Sequence, residues 1–376
     1  MKYDVVIIGA SSAGLFAAGL LAEHGMDVAL FEKEMVIDPT PRTYIITSGL
    51  YRIIPDINPE LIRHKLNTIE LQANDQIANI PLASPDIVVD RRELIMYLYK
   101  RAQEAGVEIF TDSHFLGLDS NQPSPYLRIK ISGEEKKFQA GFLIGADGIN
   151  SQVREHILEQ KLQAVPLLQA EIDLPNDWDD GVTKVWFDAE NTSYFYWLIP
   201  DKNRKAVVGL ISDPGQDISS KLEDFMEKYN FKPLNFQSGQ ASLHSQSLEV
   251  ETKIGDLQVL FVGDAAGQVK ITTVGGTVTG LMGGKAAAAA IYKRSSYRKE
   301  LSDVMRELDL HLFIRKLLGN MANDDYQKLI RYISPPVQNL LSAHDRDEMR
   351  SHFWKLPFLQ PGFIPLGLKL LLKTFI

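Results

Sequence analysis

Apolar runs and helical patterns alternate at the start of the chain. Residues Tyr3–Ile8 form a short apolar run that ends at a glycine, which is typical of a buried parallel strand. Leu15–His24 has a helical pattern that Gly25 ends, and Val28–Glu32 is a second apolar run. This order of strand, helix and strand predicts a βαβ unit.

The pattern changes in the middle of the chain. Arg92–Gly106 predicts a helix, and Val107–Phe110 and Phe142–Ala146 predict strands. From about residue 160 to residue 251 strands follow one another closely, which predicts an antiparallel sheet. They include Thr183–Phe187, Tyr194–Ile199 and Ala206–Ser212.

A third pattern follows the predicted sheet. Leu257–Val262 again indicates a buried strand, a Gly/Ala-rich helix runs to about Tyr292, and the chain after Arg294 is helical in pattern. The sequence therefore predicts an α/β fold with a discontinuous Rossmann-type domain, an antiparallel-sheet substrate domain and a helical C-terminal region. Their predicted bounds are 1–65, 87–159 and 253–295, then 66–86 and 160–252, and finally 296–376.

The amino-acid composition excludes several classes of function. The 376 residues have a formal net charge of −8, so nucleic acid is not an expected partner. There are no cysteines, which excludes disulfides, thiolate zinc sites and iron–sulfur clusters, and the eight histidines lack metal-ligand spacing. Asp4 interrupts the apolar start, and we see no signal peptide or spanning segment. The predicted location is cytoplasmic.

A glycine-rich turn lies between the first predicted strand and helix. Gly9 permits a tight turn, Gly14 permits close packing, and the helix N-terminus offers N–H groups to a pyrophosphate. Ser11 stands where the dinucleotide fingerprint has its middle glycine, with Ala13 before Gly14. Glu32 ends the second strand, where a carboxylate can bind ribose hydroxyls. The alternative is a βα turn in another α/β protein.

A second glycine-rich segment spans Gly263–Ala290. Asp264 follows a strand and can bond a polyol such as ribityl, and Gly275 and Gly276 let the backbone lie against a flat ring. The helix that begins near Thr277 would direct its positive N-terminus at that ring. Close packing of a small-residue helix would explain the alanines but not the Gly-Asp pair.

Together these segments resemble FAD-dependent oxidoreductases of the geranylgeranyl reductase type, within the group related to aromatic hydroxylases. VDRRELIMYL resembles the family's DRxxL element, and GADGINSQVR resembles its second glycine motif. The resemblance implies FAD contacts by Arg91, by the Phe115 backbone and by Asp147 with Gly148. It covers about residues 1–300.

FYWLIP resembles the substrate-domain signature of these reductases. A period of two places Phe195, Trp197 and Ile199 on one face of a strand, where an apolar wall would suit a polyprenyl chain. Ordinary sheet core is the alternative. The same stretch is also similar to a motif of flavin-dependent halogenases.

Several positions depart from the family pattern. Thr47 stands where some relatives have a cysteine that is thought to act near the flavin, and Ile271 replaces a proline. The resemblance implies hydride transfer from reduced FAD to an isoprenoid double bond, with a proton added at the neighbouring carbon. From their place in the chain, Thr47 and Tyr44 are candidate proton donors.

The C-terminal segment 353–376 combines Phe, Leu and Ile with lysines, whereas no acidic residue follows Glu348. We expect a peripheral contact with the inner face of a membrane, and docking on the protein's own core is the alternative. The expected substrate is a small molecule or lipid, and the external electron donor is NADPH or a ferredoxin. A flavin monooxygenase or halogenase, or a non-catalytic flavin or lipid carrier, are the rival functions.

Overall fold

A computed structural model describes residues 1–120 and 122–375. Ile376, the last residue of the predicted C-terminal region, and Asn121 lie outside the described residues. The strands, numbered in chain order, are β1 (Lys2–Ile8), β2 (Val28–Phe31), β3 (Thr43–Ile46), β4 (His64–Ala73), β5 (Gln76–Asp90), β6 (Glu108–Phe110), β7 (Ser113–Asp119), β8 (Tyr126–Ile131), β9 (Glu134–Gly145), β10 (Ala164–Asp173), β11 (Val182–Trp186), β12 (Tyr196–Asp201), β13 (Lys205–Ile211), β14 (Asn235–Ser242), β15 (Glu251–Ile254) and β16 (Leu257–Phe261).

The helices follow the same numbering, and short 3-10 turns lie among them. They are α1 (Ser12–Glu23), α2 (Gly49–Ile53), α3 (Arg91–Glu104), α4 (Gln152–Leu158), α5 (Ile218–Lys228), α6 (Thr277–Tyr292), α7 (Tyr297–Glu300), α8 (Ser302–Leu318), α9 (Asn323–Arg331), α10 (Pro335–Ala343), α11 (Leu356–Leu359) and α12 (Phe363–Phe375).

The chain forms two compact units. Unit 1 comprises Met1–Pro41, Arg91–Gln163 and Ser242–Asp309, and unit 2 comprises the segments Arg42–Asp90, Ala164–Ala241 and Leu310–Ile376. The sequence-based domain bounds stay a prediction.

Unit 1 is built on a mostly parallel sheet with the order β15-β16-β9-β1-β2-β6. Strands β16, β9, β1, β2 and β6 pair in parallel, while β15 is antiparallel to β16. Val5, Val6 and Ile7 on β1 are fully buried, as a central parallel strand requires. The predicted βαβ unit and the Rossmann-type sheet are present, and the fold class is confirmed.

Unit 2 contains a second sheet with the order β14-β10-β13-β12-β11-β4-β5-β3. Its recorded pairings are antiparallel except for β11 with β4, which run in parallel. Strand β12 begins at Tyr196, so Phe195 precedes the strand. Tyr196 and Leu198 pack with Phe225 of α5, which covers that face of the sheet.

The C-terminal helices form an apolar cluster with β4 and β5 in unit 2. Leu366 and Leu370 of α12 pack with Tyr326 and Ile330 of α9 and with Ala78 of β5. The helix is therefore docked on the protein, while other residues of α12 remain exposed. Among the described residues no helix has the length and apolarity needed to cross a membrane.

Candidate functional site

The turn between β1 and α1 has the geometry of a phosphate-binding loop. Gly9 has φ of +102°, and a Cβ there would lie 2.5 Å from the carbonyl oxygen of Ala146. Only glycine fits both the dihedral angle and the space. Ser11 caps α1, and its hydroxyl accepts a hydrogen bond from the Gly14 N–H at 3.2 Å. The backbone N–H groups that precede Gly14 lie at the N-terminus of α1. Helix N-termini commonly bind anions.

Close packing of α1 on α6 explains the small residues beside this turn. A Cβ on Gly14 would lie 2.5 Å from the Gly9 carbonyl oxygen, and one on Gly284 would lie 2.5 Å from the Ala13 carbonyl oxygen. The methyl group of Ala13 also lies 3.2 Å from the Cβ position of Gly263. The two glycine-rich segments therefore meet through positions that have no room for a larger side chain.

Glu32 lies beside the same turn. One carboxylate oxygen accepts a hydrogen bond from the Ala10 N–H at 2.6 Å, and the other accepts one from the Glu34 N–H at 3.1 Å. Each carboxylate oxygen can accept a further hydrogen bond. The backbone thus fixes the carboxylate next to Gly9, and ribose binding by Glu32 stays a prediction.

Asp264 follows β16 in the 3-10 turn Gly263–Ala266. The N–H of Ser242 donates to one of its carboxylate oxygens at 3.4 Å, and among the described residues none donates a hydrogen bond to the other. Burial raises the pKa of Asp264, whereas the Ser242 N–H and the positive charge of Arg91 act in the opposite direction. The residue is still partly accessible, so it offers an acceptor oxygen to a ligand.

Arg154 holds the Asp264 turn, and the sequence analysis did not select it. Its side chain is completely buried and lies 4.4 Å from the centre of the Phe261 ring. Its guanidinium donates to the carbonyl oxygens of Ala265 and Glu249, each at 2.7 Å. Burial lowers the pKa of Arg154 to about 10. The only sequence signal was its place in the GADGINSQVR motif.

A buried amide supports the same turn from its other side. Gln268 accepts a hydrogen bond from the Gly263 N–H at 2.6 Å and donates one to the Tyr297 hydroxyl at 3.1 Å. Tyr297 in turn donates to the Phe261 carbonyl oxygen at 2.7 Å. The amide fills the space that Gly283 leaves, since a Cβ there would lie 1.8 Å from the Gln268 side-chain oxygen. The sequence analysis missed this network too.

The loop before α6 contains the predicted flavin glycines. Lys270 and Gly275 form a β-bridge, Gly276 caps the helix, and Thr277 is its first residue. Val274 has φ of +53°, a conformation that costs a β-branched residue energy. No acidic residue belongs to the first turn of α6, but the Asp264 carboxylate lies 3.5 Å from the Cβ position of Gly276, beside the positive end of the helix.

Phe115 and Asp147 have partners within unit 1. Phe115 is buried on β7, the second strand after α3, and packs edge-on against His156 at 5.9 Å between ring centres. Asp147 accepts hydrogen bonds from the Ser151 hydroxyl at 2.5 Å and the Val153 N–H at 3.1 Å, where α4 begins. Burial raises its pKa, and these hydrogen bonds oppose the rise. Their contact with FAD stays a prediction.

The predicted substrate residues lie in unit 2. Trp197 and Ile199 are buried on β12 and alternate with Tyr196 and Leu198, which face α5. Phe195 packs edge-on against Trp197 at 6.2 Å between ring centres. The indole N–H of Trp197 is buried with no acceptor among the described residues. Phe195 and Trp197 are in contact, and Ile199 lies two residues after Trp197 on the same strand, whereas contact of these residues with a substrate stays a prediction.

The candidate proton donors are also in unit 2. Thr47 is buried, and its hydroxyl donates a hydrogen bond to the carboxylate of Asp347. A Cβ on Gly49 would lie 2.9 Å from that carboxylate and 3.1 Å from the Thr47 hydroxyl, so the glycine makes room for the pair. Tyr44 pairs with Val89 between β3 and β5. A catalytic role for Thr47 or Tyr44 stays a prediction.

The geometry of unit 1 fits FAD. A helix N-terminus beside Gly9 suits a pyrophosphate, Glu32 suits a ribose, and Asp264 has an acceptor oxygen that the protein leaves free for a polyol hydroxyl. A Cβ on Gly9 would fill the turn. These groups are the parts that an FAD-binding crevice requires.

Comparison with known proteins agrees with this geometry. Residues 2–283 match the family described as FAD binding domain. The chain is 30% identical over 301 residues to geranylgeranyl diphosphate reductase of Rhodobacter capsulatus, which covers 77% of this chain and 75% of that protein. This chain belongs to the geranylgeranyl reductase family. It binds FAD and is an FAD-dependent oxidoreductase.

Two further proteins are similar to this chain over nine-tenths or more of its length. Digeranylgeranylglycerophospholipid reductase of Methanocaldococcus jannaschii is 27% identical over 365 residues, which are 90% of this chain and 92% of that protein. A geranylgeranyl bacteriochlorophyll reductase-like protein of Thermoplasma acidophilum superposes with a TM-score of 0.79 at 19% identity. It covers 97% of this chain and 99% of its own. That likeness shows the shared fold.

Proposed function

We propose that this enzyme reduces double bonds in the isoprenoid chains of a prenyl lipid. The observation that carries the proposal is the similarity to a lipid reductase along nine-tenths of the chain, together with the FAD-binding geometry of unit 1. Bound FAD, when reduced, supplies a hydride, and the reduction also needs a proton at the neighbouring carbon.

Different residues of the chain bind different parts of FAD in this proposal. Ser11 and the N–H groups around it bind the pyrophosphate, Glu32 binds the ribose, and Asp264 with Arg91 orients the ribityl end. The loop at Gly275 and Gly276 allows close approach of the ring, and Thr277 starts the helix that stabilises negative charge there.

The substrate side of the proposal rests on apolar contacts. Phe195, Trp197 and Ile199 contact the prenyl chain and exclude water from it. Thr47 is the proposed proton donor, and Tyr44 is the second candidate. To deliver its proton, the Thr47 hydroxyl must break its buried hydrogen bond to Asp347, and a proton from water must restore the hydroxyl after each turnover.

The test uses the purified enzyme with FAD, reduced with dithionite without oxygen. Geranylgeranyl diphosphate and a digeranylgeranylglycerophospholipid are supplied separately, and mass spectrometry of the products should show two hydrogens gained per reduced bond. Hydroxylated or halogenated products formed only with oxygen would instead support the rival chemistry. Unchanged lipids in every assay contradict the proposal. NADPH and a reduced ferredoxin are then compared as replacements for dithionite.

We also propose a peripheral contact with a membrane through residues 353–376, at the inner face of the cell membrane. A lipid with prenyl chains resides in a bilayer, and an enzyme that acts on it must reach that surface. The exposed apolar residues in segment 353–376 support a membrane as the partner.

A further inference from the structure

The tail of unit 2 carries a concentration of exposed apolar side chains. Phe358 is 86% exposed, and Trp354 and Leu372 are each 59% exposed. Scattered single apolar residues are normal on a surface, whereas a contiguous group marks an interaction site. The group comprises Trp354, Phe358, Leu359, Ile364, Leu368 and Leu372.

Helix α12 is held in one rotation about its axis. Leu366 and Leu370 pack into the apolar cluster of unit 2. Lys369 and Lys373 both form ion pairs with Asp325 of α9, whose side chain is completely buried. Burial acts to raise the pKa of Asp325, but the two lysines and the Ala322 N–H outweigh it and lower the pKa. The apolar and ionic contacts therefore fix which residues face outward.

The outward row of α12 contains no charge. Ile364, Leu368 and Leu372 are spaced four residues apart, so they form one row along the helix, about opposite Leu366 and Leu370. Lys369 and Lys373 lie off this row and both pair with Asp325, although their side chains are 46% and 42% exposed.

One cation follows Trp354 directly in the chain. The Lys355 backbone donates a hydrogen bond to the His352 carbonyl oxygen, whereas its side chain makes no hydrogen bond or ion pair with any described residue. No aspartate or glutamate occurs after Glu348. An anionic headgroup complements this charge pattern, whereas an acidic soluble partner would leave the apolar row unexplained.

We propose that Trp354, Phe358 and the Ile364–Leu368–Leu372 row of α12 insert into a lipid surface, with Lys355 at the headgroups. Binding is driven mainly by apolar insertion, and Lys355 adds a smaller contribution on anionic lipids. The inference rests on the proposed action on a prenyl lipid only for choosing a lipid surface over a second copy of the chain.

The test is co-sedimentation of the holoenzyme with vesicles of phosphatidylcholine, without and with added phosphatidylglycerol. We expect the double variant Leu368→Ser/Leu372→Ser to lower the partition coefficient at least about tenfold on both vesicle types. Lys355→Gln should lower it about fivefold, and only on the anionic vesicles. The matched control Leu234→Ser/Phe236→Ser removes exposed apolar residues elsewhere in unit 2 and should leave binding unchanged.

Melting temperature and FAD content verify that each variant is folded. The inference is overturned if wild-type protein stays in the supernatant, or if the α12 variant sediments like the wild type. It is also overturned if that variant changes the oligomeric state, because the row would then join two copies. Vesicle binding is measured without substrate, so a lipid-binding protein that reduces no prenyl lipid contradicts the proposed function alone.

Discussion

The FAD-binding turns of unit 1 and helix α12 of unit 2 are packed in opposite ways. In unit 1, Gly9 and Gly284 lie against carbonyl oxygens, and a buried cation holds the Asp264 turn through backbone contacts. In α12, no described atom outside the helix's own backbone lies within 4 Å of the Cβ position of Gly367, and a buried anion holds the helix through two lysines. The first region tolerates little change because backbone atoms form the contacts, whereas the second leaves Ile364, Leu368 and Leu372 more than half exposed.

The largest effect is expected where backbone meets backbone. Gly9→Ala places a Cβ 2.5 Å from the Ala146 carbonyl oxygen at a φ of +102°, and we expect a loss of stability of about 3 kcal/mol. The control Gly106→Ala shares a positive φ but has open space, so it should lose only about 1–2 kcal/mol. Urea unfolding measures both. Equal losses would mean that the contact at Gly9 contributes nothing.

The second-largest effect is expected when the buried guanidinium group of Arg154 is removed. Arg154→Met leaves the carbonyl oxygens of Ala265 and Glu249 without their donor, which should cost about 2–3 kcal/mol and release FAD. Arg298→Met is the control, because Arg298 is largely exposed and its ion pairs with Glu249 and Glu251 contribute less than about 1 kcal/mol. Thermal unfolding and the flavin-to-protein absorbance ratio are the measurements. Full FAD occupancy in Arg154→Met would remove this residue from the cofactor site.

A smaller effect separates two partly buried carboxylates of unit 1. Asp264→Asn should weaken FAD binding about tenfold, which is about 1.4 kcal/mol, because a charged acceptor is lost. Asp147→Asn should mainly lower stability, since both Asp147 oxygens accept hydrogen bonds at the start of α4. Titration of the apoprotein with FAD, followed by flavin fluorescence, distinguishes them. The reverse order of affinities would contradict the assignment of Asp264.

The raised pKa of Asp264 predicts that the effect of Asp264→Asn on the stability of the apoprotein depends on pH. Burial raises the pKa of Asp264 in the folded protein, so the apoprotein loses stability as the pH rises through that folded-state pKa. Below the ordinary aspartate pKa of about 3.9 the carboxyl group is protonated in both states, and no loss remains. Asp264→Asn should therefore raise the melting temperature of the apoprotein at neutral pH more than at acidic pH.

The two regions also differ in what could be predicted from sequence. Gly9 and Asp264 were predictable because each is the residue type that a local turn requires between a strand and a helix. Arg154 was not, because its partners are carbonyl oxygens far along the chain, and any residue type can supply a carbonyl. The fold class followed from periodicity, while the parallel pairing of β4 with β11 joins distant segments that no local pattern connects.

The tail shows why composition alone does not give the side-chain contacts. Lysines beside apolar residues predicted a membrane contact, but the sequence did not show that Asp325 is buried where Lys369 and Lys373 can reach it. Likewise Thr47 was selected by its chain position, while its partner Asp347 is contributed by the C-terminal region. Side-chain partners that are distant in sequence require the three-dimensional structure.

The smallest effect is expected in α12. Gly367→Ala adds a methyl group where no described atom outside the helix's own backbone lies within 4 Å, and alanine lowers the conformational entropy of the unfolded chain. The variant should gain about 0.5–1 kcal/mol of stability, opposite in sign to Gly9→Ala, and leave FAD affinity unchanged. Urea unfolding measures the gain, and a loss would mean that the Gly367 position is occupied in solution. Because the stabilised helix keeps Leu368 and Leu372 outward, vesicle binding should be retained, which separates helix stability from the chemistry of its exposed face.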